Sequence, residues 1–264
     1  MPMDFDFGQI AVPFRMQPGL RRLAADAVRL NPLAAGSALH AEKLAVLAAG
    51  QSRHAMAGFD PGPALEAIGA QGPWWRPPET APELAFEEDF TVLDGASGTL
   101  PWLCVCVPSH WAPEDKLGLD FAALHAPVAD NAALLAASRQ LVALATGGDC
   151  WERWVWTISP SARHDQHPRR HARTPWPPAH DPDAFARECW LRAERQVFFP
   201  VGRGTRQAVF AIRVMLQPLT EAAQPGETAQ RLHDSLASMS QAVLDYKNLS
   251  AAREPLLRWL RDRA

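Results

Sequence analysis

The sequence predicts an α+β protein with an antiparallel sheet of about five strands and helical segments at both ends of the chain. Segments with apolar residues at strand spacing fall between residues 90 and 216, and glycine-containing turns of the hairpin type separate some of them. Helical patterns precede and follow these segments. With 264 residues, 47% of them hydrophobic, the chain is long enough to bury a sizeable core. We expect one domain over residues 1–264, with a helical extension at 1–83, the core at 84–219 and a helical tail at 220–264.

The amino-terminal third alternates helical patterns with residues that interrupt them. Helices are predicted at residues 19–30 and 38–50, with a proline and a glycine between them. The proline-rich segment 72–82 is predicted to be a loop. Its tandem Trp74 and Trp75 are expected to anchor it to the body, because such rings usually bury their faces.

A hairpin and a helix come next. Residues 90–93 and 100–107 flank an Asp-Gly turn, and the second segment is apolar on both faces. Pro113 suits a first helical position and is followed by two acidic residues that the helix dipole favours. Pro127 disfavours helix just before it, so His125 is predicted to lie in the last helical turn.

The second half of the chain completes the pattern. A helix at 131–146 ends at two glycines, and strands follow at 153–158, 195–199 and 207–216. Residues 160–182 contain six prolines and form a long irregular loop. The tail is helical, and one apolar stripe consists of Leu232, Leu236, Met239 and Val243.

His125 is the first candidate for a functional side chain. At about 100° per residue it falls at the edge of the apolar stripe that Leu117, Phe121 and Leu124 form. One interpretation is a buried histidine bonded to a carbonyl oxygen. The other is an axial ligand, since a neutral imidazole facing an apolar cavity commonly binds haem iron. The spacing alone leaves both open.

Polar residues also occur where the strands should be apolar. Arg213 shares a predicted face with small and apolar residues, so it either reaches an ion pair at the edge of the sheet or binds an anion in a cavity. Glu194, Arg195 and Gln196 stand together at the start of the neighbouring strand. They are either solvated or part of a polar substrate pocket.

Several classes of function are disfavoured. The net charge of −3 and the pI near 6.3 show no basic footprint for nucleic acid. No apolar run approaches the ~20 residues that span a bilayer, and the start of the chain does not resemble a signal peptide, so we expect a cytoplasmic protein without a membrane partner. Motifs typical of serine hydrolases, zinc proteases and P-loop proteins are missing from the sequence.

Cysteines and histidines give no clear metal pattern. The four cysteines do not predict a disulfide scaffold, and a zinc site is a weak alternative for them. The loop at 160–182 contains His164, His167, His171 and His180 without the spacing of a known ligand set. We expect these four histidines to be solvated.

Five segments of the chain resemble a known family, the haem-dependent oxidative N-demethylase alpha subunits and their relatives. The most specific are those that contain HAPV and ERQ, because strand or helix patterning alone does not explain them. The segments are PFRMQPGLRRL at 13–23, PSHWAPEDKLGLDFAALHAPV at 108–128, LRAERQVFFPV at 191–201, VFAIRVMLQPL at 209–219 and DYKNL at 245–249.

The resemblance implies a PAS-like core that holds haem b against an antiparallel sheet. It implies that His125, in HAPV, is the iron ligand, with His110 as the second choice. Glu194 would hold a cationic amine, and Arg213 or Arg195 would bind the haem propionates or oxygen. Gln196 and Trp156 are the further predicted cofactor contacts, and the other ring nitrogen of the ligand histidine should bond a backbone carbonyl.

The activity implied is oxygen-dependent demethylation of a small methylated amine similar to dimethylamine. Electrons would come from a separate reductase subunit that carries FMN and a 2Fe-2S cluster, because this chain shows no nucleotide-binding glycine motif and no four-cysteine pattern. Two alternatives remain at this point. One is a haem-binding sensor or carrier without turnover, and the other is a PAS-like interaction module that binds no haem.

Overall fold

A seven-stranded antiparallel sheet forms the centre of the computed structural model, which describes residues 3–202 and 204–264. The strand order is β1-β5-β6-β7-β3-β4-β2, and each neighbouring pair is antiparallel. The strands are β1 (Arg21–Arg22), β2 (Arg53–Ala55), β3 (Glu88–Asp94), β4 (Trp102–Cys104), β5 (Trp151–Ser159), β6 (Trp190–Pro200) and β7 (Gln207–Pro218).

Helices lie before, between and after these strands. The described residues contain α1 (Ala38–Ala48), α2 (Gly62–Gln71), α3 (Pro82–Ala85), α4 (Phe121–His125), α5 (Ala132–Ala136), α6 (Ser138–Ala145), α7 (Pro182–Arg187), α8 (Leu219–Ala222), α9 (Glu227–Ala237), α10 (Gln241–Tyr246) and α11 (Arg253–Arg261). Single 3₁₀ turns occur at Phe7–Gln9 and Pro113–Asp115.

The α+β class agrees with the sequence prediction, but the expected five-stranded PAS-like sheet is wrong. The two additional strands, β1 and β2, come from the amino-terminal segment that was expected to be helical. β1 replaces part of the helix predicted at 19–30 and pairs with the start of β5, and β2 pairs with β4 at the other edge. Both strands are very short, so neither contains enough residues to show an alternating pattern.

The helix predicted between Pro113 and His125 is also interrupted. Gly118 adopts a positive φ of 74°, which stops the 3₁₀ turn from continuing as an α-helix. A new helix, α4, then begins after Asp120, whose side chain accepts a hydrogen bond from the backbone N–H of Ala123 at 2.8 Å. His125 nevertheless lies in the last turn of this helix, as the sequence predicted.

The sheet separates two sides of the molecule. On β5 and β6 the side chains of Arg153, Glu194 and Phe198 point to one side, which we call the crossover face. The side chains of Trp156 and Arg195 point to the other, which we call the tail face. Alternation along each strand and the antiparallel register fix this assignment.

Different segments cover the two faces. The carboxy-terminal helices α9, α10 and α11 pack on the tail face and form the largest apolar cluster there. The crossover face is covered by α1 and by the crossover segment, residues 105–150, which connects β4 to β5. Leu117, Phe121 and Leu124 of that segment pack against the same cluster as Phe198, so the face is apolar around its polar centre.

One buried carboxyl group in β3 makes stability depend on pH. Glu88 is 1% exposed, and burial raises its pKa from 4.5 to about 7, although it accepts hydrogen bonds from the backbone N–H of Asn31 and lies near Lys43 and Arg213. The folded state therefore holds this proton more tightly than the unfolded chain. The contribution of Glu88 to the free energy of unfolding should fall by about 3 kcal/mol as pH rises from 4.5 to 7. In urea unfolding experiments, the stability of Glu88→Gln should no longer show this fall with pH. The exposed Glu79→Gln should show the same fall as wild type. Equal slopes in all three proteins would contradict the assignment.

Candidate functional site

Polar side chains occupy the middle of the crossover face. Arg153 on β5 lies opposite Gln196 on β6, and Val155 lies opposite Glu194, so these residues form one contiguous patch. All four are only partly buried, and Arg153 and Val155 lie on the part of β5 that β1 leaves unpaired. Because Ser109 and Phe121 of the crossover segment pack over the same face, we infer a recess between that segment and the sheet, lined by these side chains.

Neutral donors hold the carboxylate of Glu194. Its Oε1 accepts a hydrogen bond from the hydroxyl of Ser109, and its Oε2 accepts one from the side-chain amide of Gln196 at 2.7 Å. The guanidinium of Arg192 donates to the Ser109 hydroxyl at 2.8 Å and is itself 2% exposed. Glu194 is thus fixed in orientation without a direct ion pair, and its charge remains available to a ligand.

Arg192 also connects this patch to the loop at 160–182. Its guanidinium donates to the carbonyl oxygens of Arg163 at 3.2 Å and His164 at 2.9 Å. Burial lowers its pKa to about 10, against the effect of nearby Glu194. The loop and the patch are therefore held together by one buried cation.

His125 presents the features of a metal-ligating imidazole. Its ring stacks on Phe121 with centroids 4.1 Å apart, and its Nδ1 lies 2.7 Å from the carbonyl oxygen of Phe121. Because a carbonyl only accepts, the proton belongs on Nδ1 and the lone pair on Nε2. Nε2 makes no hydrogen bond within residues 3–202 and 204–264. Burial lowers the pKa of His125, and the charges of Arg153 and Lys116 lower it further, so the ring is neutral at pH 7.

His110 is a second neutral imidazole next to the patch. It follows Ser109 in the chain and adopts a left-handed backbone conformation with φ 60°. The residue is exposed. Partial desolvation of the ring and the charges of Arg173 and Arg192 lower its pKa to about 4. Unlike His125, it has no helix to orient it and no hydrogen bond to a carbonyl in the described part of the chain.

Arg153 and Trp151 are functional candidates that the sequence analysis missed. The Nε of Arg153 and the indole Nε1 of Trp151 are sealed from solvent, and neither has a hydrogen-bond acceptor among the described residues. The sequence predicts only a strand at 153–158 here, and alternation places Trp154 and Trp156 on one face of it. A signal was present, because Arg153 alternates with those tryptophans and must point to the opposite side.

Lys247, in the DYKNL segment, was also missed as a site residue. Its ammonium donates to the carbonyl oxygen of Trp156 at 2.9 Å, and it lies 5.6 Å from the ring centroid of Phe14. Burial lowers its pKa to about 8, the nearby charge of Glu194 opposes that effect, and Arg153 adds to it. The edge of β5 therefore brings a buried lysine close to the patch.

The structure does not bring Arg213, Arg195 and Trp156 to this patch. All three lie on the tail face, where Arg213 Nε contacts Glu87 Oε2 at 2.5 Å and Arg195 Nε contacts Glu152 Oε2 at 3.1 Å. The ion-pair interpretation of Arg213 is the one that the structure shows. Trp156 is 7% exposed and packs among the carboxy-terminal helices.

The histidine-rich loop is more ordered than expected. Three of its histidines contact carboxylates: His164 with Glu42 at 3.0 Å, His167 with Glu114 at 3.1 Å and His171 with Asp165 at 3.0 Å. The expectation that they are solvated is therefore wrong, and only His180 among the four is exposed. In the part of the chain that the structure describes, no group of three or more His, Cys, Asp or Glu side chains could hold a metal ion. The four cysteines are free.

The fold and the site define an α+β protein in which an oriented carboxylate and a cation without a partner among the described residues share one sheet face, under a crossover segment that carries a neutral imidazole. A family model described as haem-dependent oxidative N-demethylase, alpha subunit-like, matches residues 79–257. The chain belongs to this family, which confirms the resemblance found in the sequence. The family's name implies dependence on haem and membership of a multi-subunit assembly.

The match extends from just before β3 into α11, so it includes the whole recess together with Ser109, His125 and Glu194. The amino-terminal segment that adds β1 and β2 lies outside it. Among the described residues, no helix is both long and apolar enough to cross a membrane.

The residues of the recess suit haem. The Nε2 atom of His125 is a nitrogen donor of the kind that haem iron takes as an axial ligand. Phe198 and Phe210 stack on each other with their ring centroids 4.4 Å apart and contribute an apolar wall on the same face. Arg153 supplies positive charge without an anionic partner in the described residues, as an acidic cofactor requires.

Proposed function

We propose that this protein is the haem-binding oxygenase subunit of an N-demethylase that acts on a small methylated amine similar to dimethylamine. The observation that carries the proposal is His125, whose Nδ1 bonds to the Phe121 carbonyl and leaves the neutral Nε2 free beside the patch of Glu194. Family membership supports the same conclusion. His125 is the proposed ligand of haem b iron, with His110 as the second candidate.

Haem, when bound, supplies the reduction of dioxygen and the oxidation of the methyl group. The overall reaction is (CH3)2NH + O2 + 2H⁺ + 2e⁻ → CH3NH2 + HCHO + H2O, in which the methyl carbon is oxidised and dioxygen is reduced. The two electrons come from a separate reductase subunit, which we propose carries FMN and a 2Fe-2S cluster.

The protein's own contribution is binding and orientation. The carboxylate of Glu194 holds the protonated amine by a charge-assisted hydrogen bond, which is stronger than one between neutral groups. Ser109 and Gln196 fix the two oxygens of that carboxylate, so the methyl group of the bound amine takes one orientation. The apolar wall around the patch limits the size of the substrate.

The test is haem titration followed by a turnover assay. The purified protein should bind one equivalent of haem with a Soret band, and with dioxygen and an electron-donating reductase it should release formaldehyde from dimethylamine. Absence of a Soret band at saturating haem would remove the proposal. A Soret band without formaldehyde from a panel of methylated amines would favour the alternative, a haem-binding sensor or carrier.

A further inference from the structure

Arg153 is a partly buried cation without a partner among the described residues. Neither a hydrogen bond nor a salt bridge of its side chain occurs within the described residues, and its Nε is sealed from solvent. Burying an unpaired guanidinium is costly, so such groups normally contact a carboxylate or a carbonyl. Glu194 is near enough to act on the charge of Arg153, but it is bonded to Ser109 and Gln196 instead.

The charged residues around the patch also leave Arg153 without a compensating acidic group. Three cations, Arg153, Arg192 and Lys247, are close enough to Glu194 for its charge to raise their pKa values. Arg192 has further acidic neighbours and four hydrogen bonds, and Lys247 donates to a backbone carbonyl. Among the described residues Arg153 has neither, so its charge is available to an anionic ligand.

A second unsatisfied donor lies on the same face. Trp151 stands two residues before Arg153 on β5, so both side chains point to the crossover face, and the indole N–H of Trp151 is buried without an acceptor. Arg153 and Trp151 point to the same face, and the terminal guanidinium nitrogens of Arg153 make no hydrogen bond among the described residues, so this position suits a ligand group with two acceptor oxygens. A carboxylate has that geometry, and it pairs with a guanidinium through parallel N–H···O bonds.

We propose that Arg153, assisted by the indole of Trp151, binds a carboxylate group of a ligand in this recess. The carboxylate belongs either to a haem propionate or to the substrate itself, which would then be an N-methylated amino acid with its amine on Glu194. Binding of a haem propionate rests on the proposed function. Binding of a substrate carboxylate can also occur in the protein without haem.

Two measurements distinguish the sources, each made on wild type, Arg153→Gln and Arg153→Lys. The first compares affinity for haem with affinity for its dimethyl ester, in which both propionates are neutral. The second compares binding of N,N-dimethylglycine and dimethylamine, by calorimetry on the haem-free protein and by Soret perturbation on the loaded protein. The exposed Arg139→Gln is the control for loss of an arginine.

A propionate contact predicts that Arg153→Gln weakens haem about tenfold or more and leaves the diester unchanged. A substrate contact predicts unchanged haem affinity and a similar loss for N,N-dimethylglycine but not for dimethylamine. Arg153→Lys should retain part of the affinity because it keeps the charge. The thermal midpoint of ligand-free Arg153→Gln should not fall, since the variant removes a partly buried charge that has no partner among the described residues.

The proposal is overturned if wild type and Arg153→Gln bind haem, the diester and both amines equally. A lower thermal midpoint without any change in binding would show that Arg153 has only a structural role. If wild type binds no haem, the proposed function fails, and calorimetry with N,N-dimethylglycine still decides whether Arg153 binds a carboxylate.

Discussion

His125→Ala is expected to eliminate the specific Soret band of the haem-loaded protein and to weaken haem binding by at least about a hundredfold. The variant removes the only atom that we assign to the iron, the Nε2 of His125, and haem would be held by apolar and propionate contacts alone. The fold should persist, because the ring is only partly buried and its single hydrogen bond goes to Phe121 in the same helix. Absorption spectra during haem titration measure the loss.

The matched control is His110→Ala, which removes a neutral imidazole from the same side of the sheet. It should retain the Soret band and haem affinity of wild type. His125→Gly offers a further check, since free imidazole can occupy the space left by the ring and restore the band. If His110→Ala loses the band and His125→Ala keeps it, the ligand assignment must be exchanged between the two residues.

Much of the sheet could be predicted because its long strands show clear alternation. β5, β6 and β7 each contain enough residues for an apolar pattern to stand out, and all three were found. β1 and β2 were not, since charged or polar residues such as Arg21 and His54 give no apolar periodicity in strands of two or three residues. Their pairing depends on distant segments, β5 and β4, that local patterns do not reveal.

The candidate site was predicted in part, for a related reason. Glu194 and Arg195 are neighbours in sequence, and grouping them as one polar cluster ignored that consecutive strand residues point to opposite faces. The structure leaves Glu194 with Gln196 in the recess and places Arg195 in an ion pair with Glu152. A strict alternation rule would have separated them.

The role of Arg153 could not be predicted from strand alternation alone. Its position on the face opposite Trp154 follows from the sequence, but the significance of that position depends on the register with Gln196 and on the lack of a described partner. The position of His125, by contrast, could be predicted from the sequence, because Pro127 ends the helix just after it. A bond from its ring to a backbone carbonyl was expected with the family resemblance, and the structure identifies that carbonyl as the one of Phe121.

Glu194→Gln is expected to raise the KM for dimethylamine about a hundredfold while leaving the Soret band and haem affinity unchanged. The amide keeps the size of the side chain and can still bond to Ser109 and Gln196, but it loses the charge that attracts a protonated amine. One charge-assisted hydrogen bond accounts for an effect of this size.

The strongest evidence for this role is a comparison of two ligands of nearly equal shape. Dimethyl ether matches dimethylamine in size but carries no charge, so its binding, followed by Soret perturbation, should be the same in wild type and Glu194→Gln. The exposed Glu188→Gln controls for the change in net charge and should behave as wild type with both ligands. Equal weakening of the ether and the amine would mean that Glu194 maintains the shape of the recess through Ser109 and Gln196. Selective loss of the amine would place its cationic nitrogen at the Glu194 carboxylate and, because Ser109 and Gln196 fix that carboxylate, would define which side of the substrate faces the apolar wall.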